Sequence, residues 1–512
     1  MTRMLDHMDL AHTMSSPVVR AHAVEPLVEA VRRMHDRRVG SVVVCEGDRV
    51  VGILTERDVL RVVATSDPSA VRVGEAMTSP ADTMPLSTDS GIALATMRER
   101  GFRHMPVVDG DDLVGLVSLR DLARVLGTAP TEVPRGLKGV VVADTEVGDV
   151  RGNEGFYHYR QYSAVDLATS RPLEDVWRLL IDGALPATSA ERAAFVAEIE
   201  PLRAIRPEVL DVLPAIAAVS SPLDGLRTAL SLTGAVLGMR PVLDLSHTER
   251  RRDVMALCAV TPTILAALHR LRMGLEPVPP RPGLRAGAQH LWMVSGDEPD
   301  ATAAQAIETY LITTVDHGFN ASTFTGRVVT STGADVAACL VAAVGALSGP
   351  LHGGAPSRAL DLLDEIKTPD RIDEVVRPKI LGGDRIMGFG HPVYRTDDPR
   401  SVLLRGVARS LAASDPVAAE QVAFAERVEA RVIELLDELK PGRALRTNVE
   451  FYAGVVMDLC GLPEEMFTPT FASSRVIGWS ANLLEQADDP KIIRPSARYV
   501  GPTPPVPVPS LR

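Results

Sequence analysis

The chain has 512 residues, which is too long for one ordinary domain and long enough for two or three domains with their own cores. Its 54 basic and 66 acidic residues give a net charge of −12, and the chain has no long basic run. This balance argues against nucleic acid and anionic membranes as partners, so an anionic substrate has to be held by a local group of cations.

The cysteines and the apolar runs argue against further classes of protein. The four cysteines are far apart, with no C-x-x-C pair, which argues against a metal site or a disulfide framework and predicts buried thiols. The N-terminal residues lack the apolar core of a signal peptide, and the longest apolar run, residues 336–347, is too short to cross a bilayer. We therefore expect a cytoplasmic protein.

The first 126 residues contain an internal repeat with a period of 63. In each copy an amphipathic helix, at 26–36 or 90–100, precedes an apolar strand, at 41–45 or 105–108. A glycine turn then leads to a second strand and to another helix. The repeat therefore predicts two α/β modules of the same design.

Each copy has the pattern S/T-x-x-D where its second strand meets the following helix. The residues are Thr55 and Asp58 in the first copy, and Ser118 and Asp121 in the second. Helix capping explains either pattern alone, because the hydroxyl can accept a free backbone N–H and the carboxylate favours the helix N-terminus. The duplication, however, resembles a tandem CBS (cystathionine-synthase-type) domain pair at residues 8–126. That resemblance implies that these four residues bind the phosphate and ribose of an adenine-nucleotide effector.

Two proline-containing segments separate the parts of the chain. Residues 127–136 have two prolines and no apolar period, which predicts a linker, and residues 502–512 form a proline-rich, extended tail. Between them, residues 173–346 are rich in alanine and leucine, with apolar positions every three or four residues and frequent prolines. This pattern predicts many helices of ordinary length.

A glycine loop around one histidine, G-F-G-H-P-V-Y-R-T-D-D-P-R at 388–400, points to chemistry. Gly388 and Gly390 let a ligand approach the backbone, and Pro392 disfavours a helical conformation at His391. Arg400 carries the planar group of donors that matches a carboxylate. An imidazole beside a guanidinium suggests an anionic carbonyl substrate.

Other stretches extend this pattern. They are D-H-G-F-N-A-S at 316–322, G-P-L-H-G-G-A at 349–355, N-V-E-F-Y-A-G at 448–454, F-T-P at 467–469 leading to R-V-I-G-W at 475–479, and I-I-R-P at 492–495. Together with the 388–400 loop, these motifs resemble the citrate synthase family over residues 136 to 501.

The resemblance implies a multidomain protein, in which the α/β CBS pair precedes a mainly all-α citrate synthase fold. The large subdomain would comprise residues 137–351 plus 451–501, and the small one residues 352–450. It also implies that acetyl-CoA and oxaloacetate are the substrates, that no cofactor or metal is needed, and that the protein is a homodimer or a higher homo-oligomer.

The same resemblance assigns roles to individual residues. The catalytic residues would be Glu450 as the base, His352 as the donor to the thioester oxygen and His391 as the donor to the ketone. The residues that hold oxaloacetate would be His317, Asn320, Arg400, Arg475 and, from the other subunit, Arg494. The backbone of Gly388, Phe389 and Gly390 would meet CoA.

One position departs from the family, because citrate synthases usually carry aspartate where this chain has Glu450. Two alternatives also stay open at this stage. The acyl donor could be propionyl-CoA, which would make a 2-methylcitrate synthase, or the chain could be a nucleotide-sensing protein with a weakened synthase body.

Overall fold

The computed structural model describes residues 9–37, 39–119, 121–122, 137, 140–350, 352, 355–391, 393–394, 396–489, 491–497, 499–501 and 508. Backbone contacts divide the chain into two compact units, Met1–Val142 and Ala143–Arg512. The predicted linker at 127–136 lies outside the described residues, as does the predicted tail apart from Val508. The division of the second unit into large and small subdomains stays a prediction.

The first unit is built around one six-stranded sheet, flanked by helices. Its strands are β1 (Arg20–Ala21), β2 (Ser41–Glu46), β3 (Arg49–Thr55), β4 (Met84–Pro85), β5 (His104–Asp109) and β6 (Asp112–Ser118). Its helices are α1 (Leu27–Arg37), α2 (Glu56–Thr65), α3 (Val73–Ala76) and α4 (Ser90–Arg100). The strand order is β1-β2-β3-β6-β5-β4, with β3 and β6 antiparallel at the centre.

The register of this sheet confirms the repeat. In the first hairpin Ser41 pairs with Thr55, and in the second His104 pairs with Ser118, which are the positions 63 residues later. The hairpin turns use Gly47 and Gly110 at φ +66° and +63°, a region that glycine adopts without steric cost. The α/β character predicted for the repeat is therefore confirmed.

The second unit starts with a small antiparallel sheet of β7 (Gly148–Arg151), β8 (Phe156–Tyr159) and β9 (Tyr162–Ser163). Its other described elements are helices. They are α5 (Ala164–Ser170), α6 (Leu173–Asp182), α7 (Ser189–Ile199), α8 (Pro207–Leu210), α9 (Leu213–Ala217), α10 (Pro222–Val236), α11 (His247–Arg272), α12 (Ala286–Ser295), α13 (Ala301–Thr314), α14 (Ala321–Thr330), α15 (Val336–Leu347), α16 (Ala355–Ile366), α17 (Ile372–Gly382), α18 (Pro399–Leu411), α19 (Pro416–Leu439), α20 (Val449–Leu459) and α21 (Phe467–Ala487).

Two of these helices form the centre of the unit. The second half of α13 is buried without a break, and α21 is buried on nearly all sides. A helix surrounded in this way is a core helix rather than a surface one. In the described part of the chain, only α11 is long and apolar enough to span a membrane, and 78% of its most apolar window is buried inside the protein.

Candidate active site

The glycine loop at 388–390 is fixed against the start of α20. Gly388 and Gly390 have φ of +84° and +86°, which residues with a side chain rarely adopt. The N–H of Gly390 donates to the carbonyl of Arg446 at 2.7 Å, and the N–H of Asn448 donates to the carbonyl of Gly388 at 2.9 Å. Asn448 caps α20, so this pairing places the loop beside the helical turn that carries Glu450.

His391 follows the loop, and its hydrogen bonds define which nitrogen carries the proton. Its Nδ1 accepts the backbone N–H groups of Val393 and Tyr394, both at 3.1 Å. A backbone N–H can only donate, so the neutral ring must carry its proton on Nε2. Burial, and then the charge of Arg400, lower the pKa of His391 to about 4. At neutral pH this ring is therefore an uncharged donor through Nε2.

Arg400 lies in the first turn of α18, where it is 3% exposed and paired with Asp398. Its Nε and Nη2 donate to the two carboxylate oxygens at 3.0 and 2.7 Å. Asp398 also accepts the backbone N–H of Val449 at 3.2 Å, which joins α18 to α20. The Nη2 of Arg400 lies 3.5 Å from the Nε2 of His391. Because both atoms carry protons, an anionic acceptor shared between them would stabilise the pair.

His317 packs beside His391 in the same cluster. The two imidazole centroids are 5.3 Å apart, and the Nε2 of His317 lies 3.0 Å from the hydroxyl of Tyr394. Burial first, and then the charge of Arg400, hold the pKa of His317 well below its usual value. His317 is therefore also neutral at physiological pH.

His352 has the opposite tautomer from His391. Its Nε2 lies 3.3 Å from the backbone nitrogen of Ser322 and 2.8 Å from the hydroxyl of the same residue. The indole N–H of Trp479 donates to that hydroxyl at 3.1 Å. Because the amide of Ser322 can only donate, Nε2 is an acceptor and Nδ1 carries the proton. Burial, followed by Arg475, lowers the pKa of His352 to about 4, so Nδ1–H is a neutral donor.

Arg475 is a buried cation without a close counter-ion. It is 2% exposed, its Nε donates to the carbonyl of Thr314 at 2.7 Å, and its guanidinium stacks 4.5 Å from the ring of Phe471. No carboxylate in the described part of the chain forms an ion pair with it, although the charge of Asp316 acts from farther away. Burial lowers the pKa of Arg475. A buried guanidinium whose Nη groups make no hydrogen bond to the described residues is well suited to bind a substrate anion.

Glu450 is the second residue of α20, and no hydrogen bond to its carboxylate occurs among the described residues. Burial raises the pKa of Glu450 to about 7, although Arg400 opposes this shift. The carboxylate lines a small cavity together with Tyr310, Thr314, His352, Val449, Ala453 and Phe471. A buried carboxylate with a raised pKa beside a neutral imidazole donor is an arrangement suited to removing a proton from carbon.

The remaining residues predicted to bind oxaloacetate or CoA are not part of the buried cluster described above. The side-chain oxygen of Asn320 caps α14 by accepting the N–H groups of Ser322 and Thr323, so its use as a substrate ligand stays a prediction. Arg494 is exposed on an extended segment beyond α21. The ring of Phe389 packs edge-on against Phe451, with centroids 5.3 Å apart, and its backbone N–H donates to the carbonyl of Ile386 at 3.2 Å, so CoA binding by this loop stays a prediction.

The four residues predicted to bind a nucleotide form helix caps in the first unit. The backbone N–H and the hydroxyl of Thr55 both donate to Asp58, at 3.0 and 2.7 Å. In the second copy the hydroxyl of Ser118 donates to Asp121 at 2.5 Å, and its oxygen accepts the N–H of Asp121 at 3.1 Å. Capping is therefore observed in both copies, and nucleotide binding stays a prediction.

Several residues of the site were not found from the sequence. Asp398 and Tyr394 lie inside the 388–400 stretch, and Asp398 could have been expected as the partner of a buried arginine two residues later. Tyr157, whose ring lies 5.9 Å from the guanidinium carbon of Arg400, belongs to β8 and gives no such signal. In the described part of the chain, no three His, Cys, Asp or Glu side chains come together as metal ligands.

The profile described as "Citrate synthase, C-terminal domain" matches residues 136–496, and the CBS domain profile matches residues 8–65 and 73–128. The chain belongs to the citrate synthase family. It is an acyltransferase of the citrate synthase type, with two CBS domains at its N-terminal end.

Individual relatives agree with this assignment. A citrate synthase from Deinococcus radiodurans is 33% identical over 371 residues, covering 72% of this chain and 96% of the relative. A 2-methylcitrate synthase from Shewanella oneidensis is 33% identical over 370 residues, covering 72% and 95%. The structure of a ternary complex of carboxymethyl coenzyme A and oxaloacetate with citrate synthase from Thermoplasma acidophilum is 29% identical, with a TM-score of 0.69, and covers 74% of this chain and 98% of that one.

Proposed function

We propose that this citrate synthase joins the methyl carbon of acetyl-CoA to the ketone carbon of oxaloacetate and then hydrolyses the thioester to citrate and CoA. The observation that carries this proposal is the cavity shared by Glu450 and the Nδ1–H donor of His352. This arrangement supports the proposal, because a base and an oxyanion donor are the two groups that deprotonation of a thioester at carbon requires.

In the first step, Glu450 removes a proton from the methyl carbon of the thioester. The pKa of about 7 makes Glu450 a stronger base than an ordinary carboxylate while leaving much of it ionised at neutral pH. Negative charge then develops on the thioester oxygen, and the Nδ1–H of His352 stabilises it by a hydrogen bond.

In the second step, the new carbon nucleophile attacks the ketone carbon of oxaloacetate. The ketone oxygen becomes an alkoxide, which the Nε2–H of His391 stabilises. Arg475, Arg400 and His317 hold the two carboxylates, with Arg475 contributing a charge that has no close counter-ion among the described residues. Water then attacks the thioester carbon of the product, and CoA leaves as the thiol.

The proposal is tested by the release of free CoA. We expect release from acetyl-CoA only when oxaloacetate is present, because oxaloacetate binding should close the small subdomain and assemble the site. A coupled thiol assay with and without oxaloacetate measures this directly. Absence of turnover with both acetyl-CoA and propionyl-CoA would leave the nucleotide-sensing alternative as the better account.

Propionyl-CoA is the alternative acyl donor. It is one methylene larger, and discrimination of one methylene is worth only about 1–3 kcal/mol. The cavity beside Glu450 has apolar walls, from Val449, Ala453 and Phe471, which suit either acyl group. The same assay gives kcat/KM for both donors, and a ratio in favour of propionyl-CoA would change the assignment to 2-methylcitrate synthase.

The exposed Arg494 motivates a proposal about assembly. We propose that the protein is a homodimer in which Arg494 of each subunit reaches the oxaloacetate of the other. Mixing an Arg494→Ala variant with a variant lacking Glu450 should then restore part of the activity, because one site of the mixed dimer has both residues. No restored activity in an exchanged dimer would contradict this proposal.

We also propose that an adenine nucleotide binds between the two CBS domains and changes the activity of the synthase. Calorimetry with ATP, ADP and AMP should show binding that is lost in an Asp58→Ala, Asp121→Ala double variant. Asp67→Ala is the matched control, because Asp67 also accepts a backbone N–H, from Ser69 at 2.9 Å, but lies outside both junctions. If binding changes the oxaloacetate affinity, oxaloacetate must change the nucleotide affinity by the same factor. No binding to the wild type would leave the four residues as helix caps.

The β7–β8 turn supports the active-site loop, which leads to a further prediction. A Cβ atom on Gly152 would lie 2.2 Å from the carbonyl oxygen of Val393, between His391 and Arg400. Gly152→Ala must therefore shift the backbone of this loop, and we expect the KM for oxaloacetate to rise about tenfold or more. The control is Gly406→Ala on α18, where a Cβ meets nothing within 4 Å. Equal KM values for the two variants would show that the turn does not position the loop.

A further inference from the structure

A second cavity lies inside the synthase unit, on the far side of the helices that carry the active site. From α13, Tyr310 lines the active-site cavity, whereas the next residue, Leu311, lines the second cavity. From α21, Phe471 lines the first, and Ser473 and Ile477 line the second. The two cavities are therefore separate and share the walls formed by α13 and α21.

Buried polar atoms without partners are concentrated around this second cavity. Four of its lining side chains have a buried nitrogen or oxygen with no hydrogen bond in the described part of the chain, namely Trp177 Nε1, Thr263 Oγ1, Gln289 Nε2 and His290 Nδ1. Each of these residues is at most 5% exposed. Buried polar groups in folded proteins nearly always have a partner, and because these four residues line one cavity, a molecule in that cavity can supply it.

The existing hydrogen bonds define what two of these atoms require. The N–H of Trp177 can only donate. The side-chain oxygen of Gln289 accepts the backbone N–H of Arg281 at 3.2 Å, so the amide orientation is fixed and Nε2 is a free donor. Both atoms therefore need an acceptor.

His290 has the opposite requirement. Its Nε2 lies 2.9 Å from the hydroxyl oxygen of Thr470, and that hydroxyl donates its proton to the carbonyl of Met466 at 2.6 Å. The Nε2 of His290 must therefore be the donor, and Nδ1 is left as an acceptor that needs a donor. Burial lowers the pKa of His290 to about 4, so the ring stays neutral at physiological pH.

The charges on the cavity wall exclude ions. Glu174 and Arg203 form an ion pair at 3.1 Å and cancel each other. An anion would offer no donor to His290, whereas a cation would offer no acceptor to Trp177. The volume of about 40 Å³ holds about three waters, since each needs about 10–15 Å³, or one molecule of a few non-hydrogen atoms.

We propose that this interior cavity is a second binding site, for a small uncharged molecule that carries both a hydrogen-bond acceptor and a donor, such as a primary amide. The site is independent of the proposed residue roles at the active site, because it uses the opposite faces of α13 and α21.

Thermal unfolding of the full chain with acetamide as the probe tests this proposal. We expect a saturable rise in the unfolding midpoint, because a ligand that binds only the folded state stabilises it. N,N-dimethylacetamide, which lacks the donor, and acetate, which is charged, should give no such rise. The response should disappear in a Thr263→Val, Gln289→Leu double variant.

A cavity-filling variant covers the case in which the double variant does not fold. Ala259 lines the cavity and is 3% exposed, so Ala259→Val places two carbons in the space that the probe needs. We expect this variant to fold and to lose the response to acetamide. A response that persists in Ala259→Val, or an equal response to dimethylacetamide, would show a general additive effect only and would overturn the proposal. The absence of any response in the wild type would also overturn the proposal and would leave water as the only occupant of the cavity.

Discussion

Replacing Glu450 by glutamine is expected to lower kcat by roughly 10²- to 10⁴-fold, which is the range for losing a general base. The amide keeps the shape of the side chain but cannot accept a proton from the methyl carbon. Because the cations that we propose to hold oxaloacetate are elsewhere, on Arg475 and Arg400, oxaloacetate should bind the variant nearly as well as the wild type. Stopped assays of CoA release and calorimetry with oxaloacetate measure the two quantities separately. Near-normal turnover would remove Glu450 from the role of base.

The raised pKa of Glu450 adds a pH dependence with a definite sign. The folded state binds this proton more tightly than the unfolded chain, so the stabilisation is complete at low pH and is lost as the pH rises through about 7. Glu450→Gln should therefore be more stable than the wild type by about 3 kcal/mol at pH 8 and by much less at pH 5. Urea unfolding of the synthase unit at both pH values measures this difference. The wild-type rate should fall as the pH drops through about 7, because the base must be ionised.

The Glu450→Asp variant tests whether the site is shaped for the longer glutamate side chain. We expect it to be impaired as well, since a misplacement of about 1 Å can cost on the order of a hundredfold in rate. The backbone of α20 is held by the Asn448 cap and by Asp398, so it cannot simply move closer to the substrate. A faster Asp variant would show instead that glutamate makes the wild-type enzyme slow.

The repeat shows which part of the fold could be predicted from the sequence. A period of 63 fixes the relative positions of two hairpins, because both copies must satisfy the same backbone pairing. The helices of the second unit also followed from apolar spacing and from prolines. Which of those helices form the centre could not be predicted, since α13 and α21 differ from their neighbours mainly in what surrounds them.

The active site, like the fold, could be predicted from the sequence only in part. Residue types and order indicated His317, His352, His391 and Glu450, but the tautomers of the histidines depend on contacts that are distant in sequence. The proton of His352 is placed by Ser322, thirty residues earlier in the chain. Asn320 is the opposite case. Its motif predicted a substrate ligand, but its side chain caps α14.

The most informative substitution for oxaloacetate binding is Arg475→Met. We expect kcat/KM for oxaloacetate to fall on the order of a thousandfold, because removing one partner of a buried charged pair costs about 3–5 kcal/mol. The free protein should nevertheless become more stable, since the buried guanidinium has no close counter-ion in the part of the chain that the structure describes, and methionine can fill its volume against Phe471. The unfolding midpoint without substrate and the kinetics with substrate should thus move in opposite directions.

A second buried arginine provides the matched control for this prediction. Arg203 is 8% exposed and paired with Glu174, so Arg203→Met leaves a buried carboxylate without its cation. That variant should lose stability by roughly 3–5 kcal/mol, whereas Arg475→Met should gain it. If both variants are destabilised to the same extent, Arg475 is an ordinary structural residue whose charge is satisfied within the protein. If only Arg203→Met is destabilised, the unpaired cation of Arg475 lowers the stability of the free protein and serves to bind the substrate.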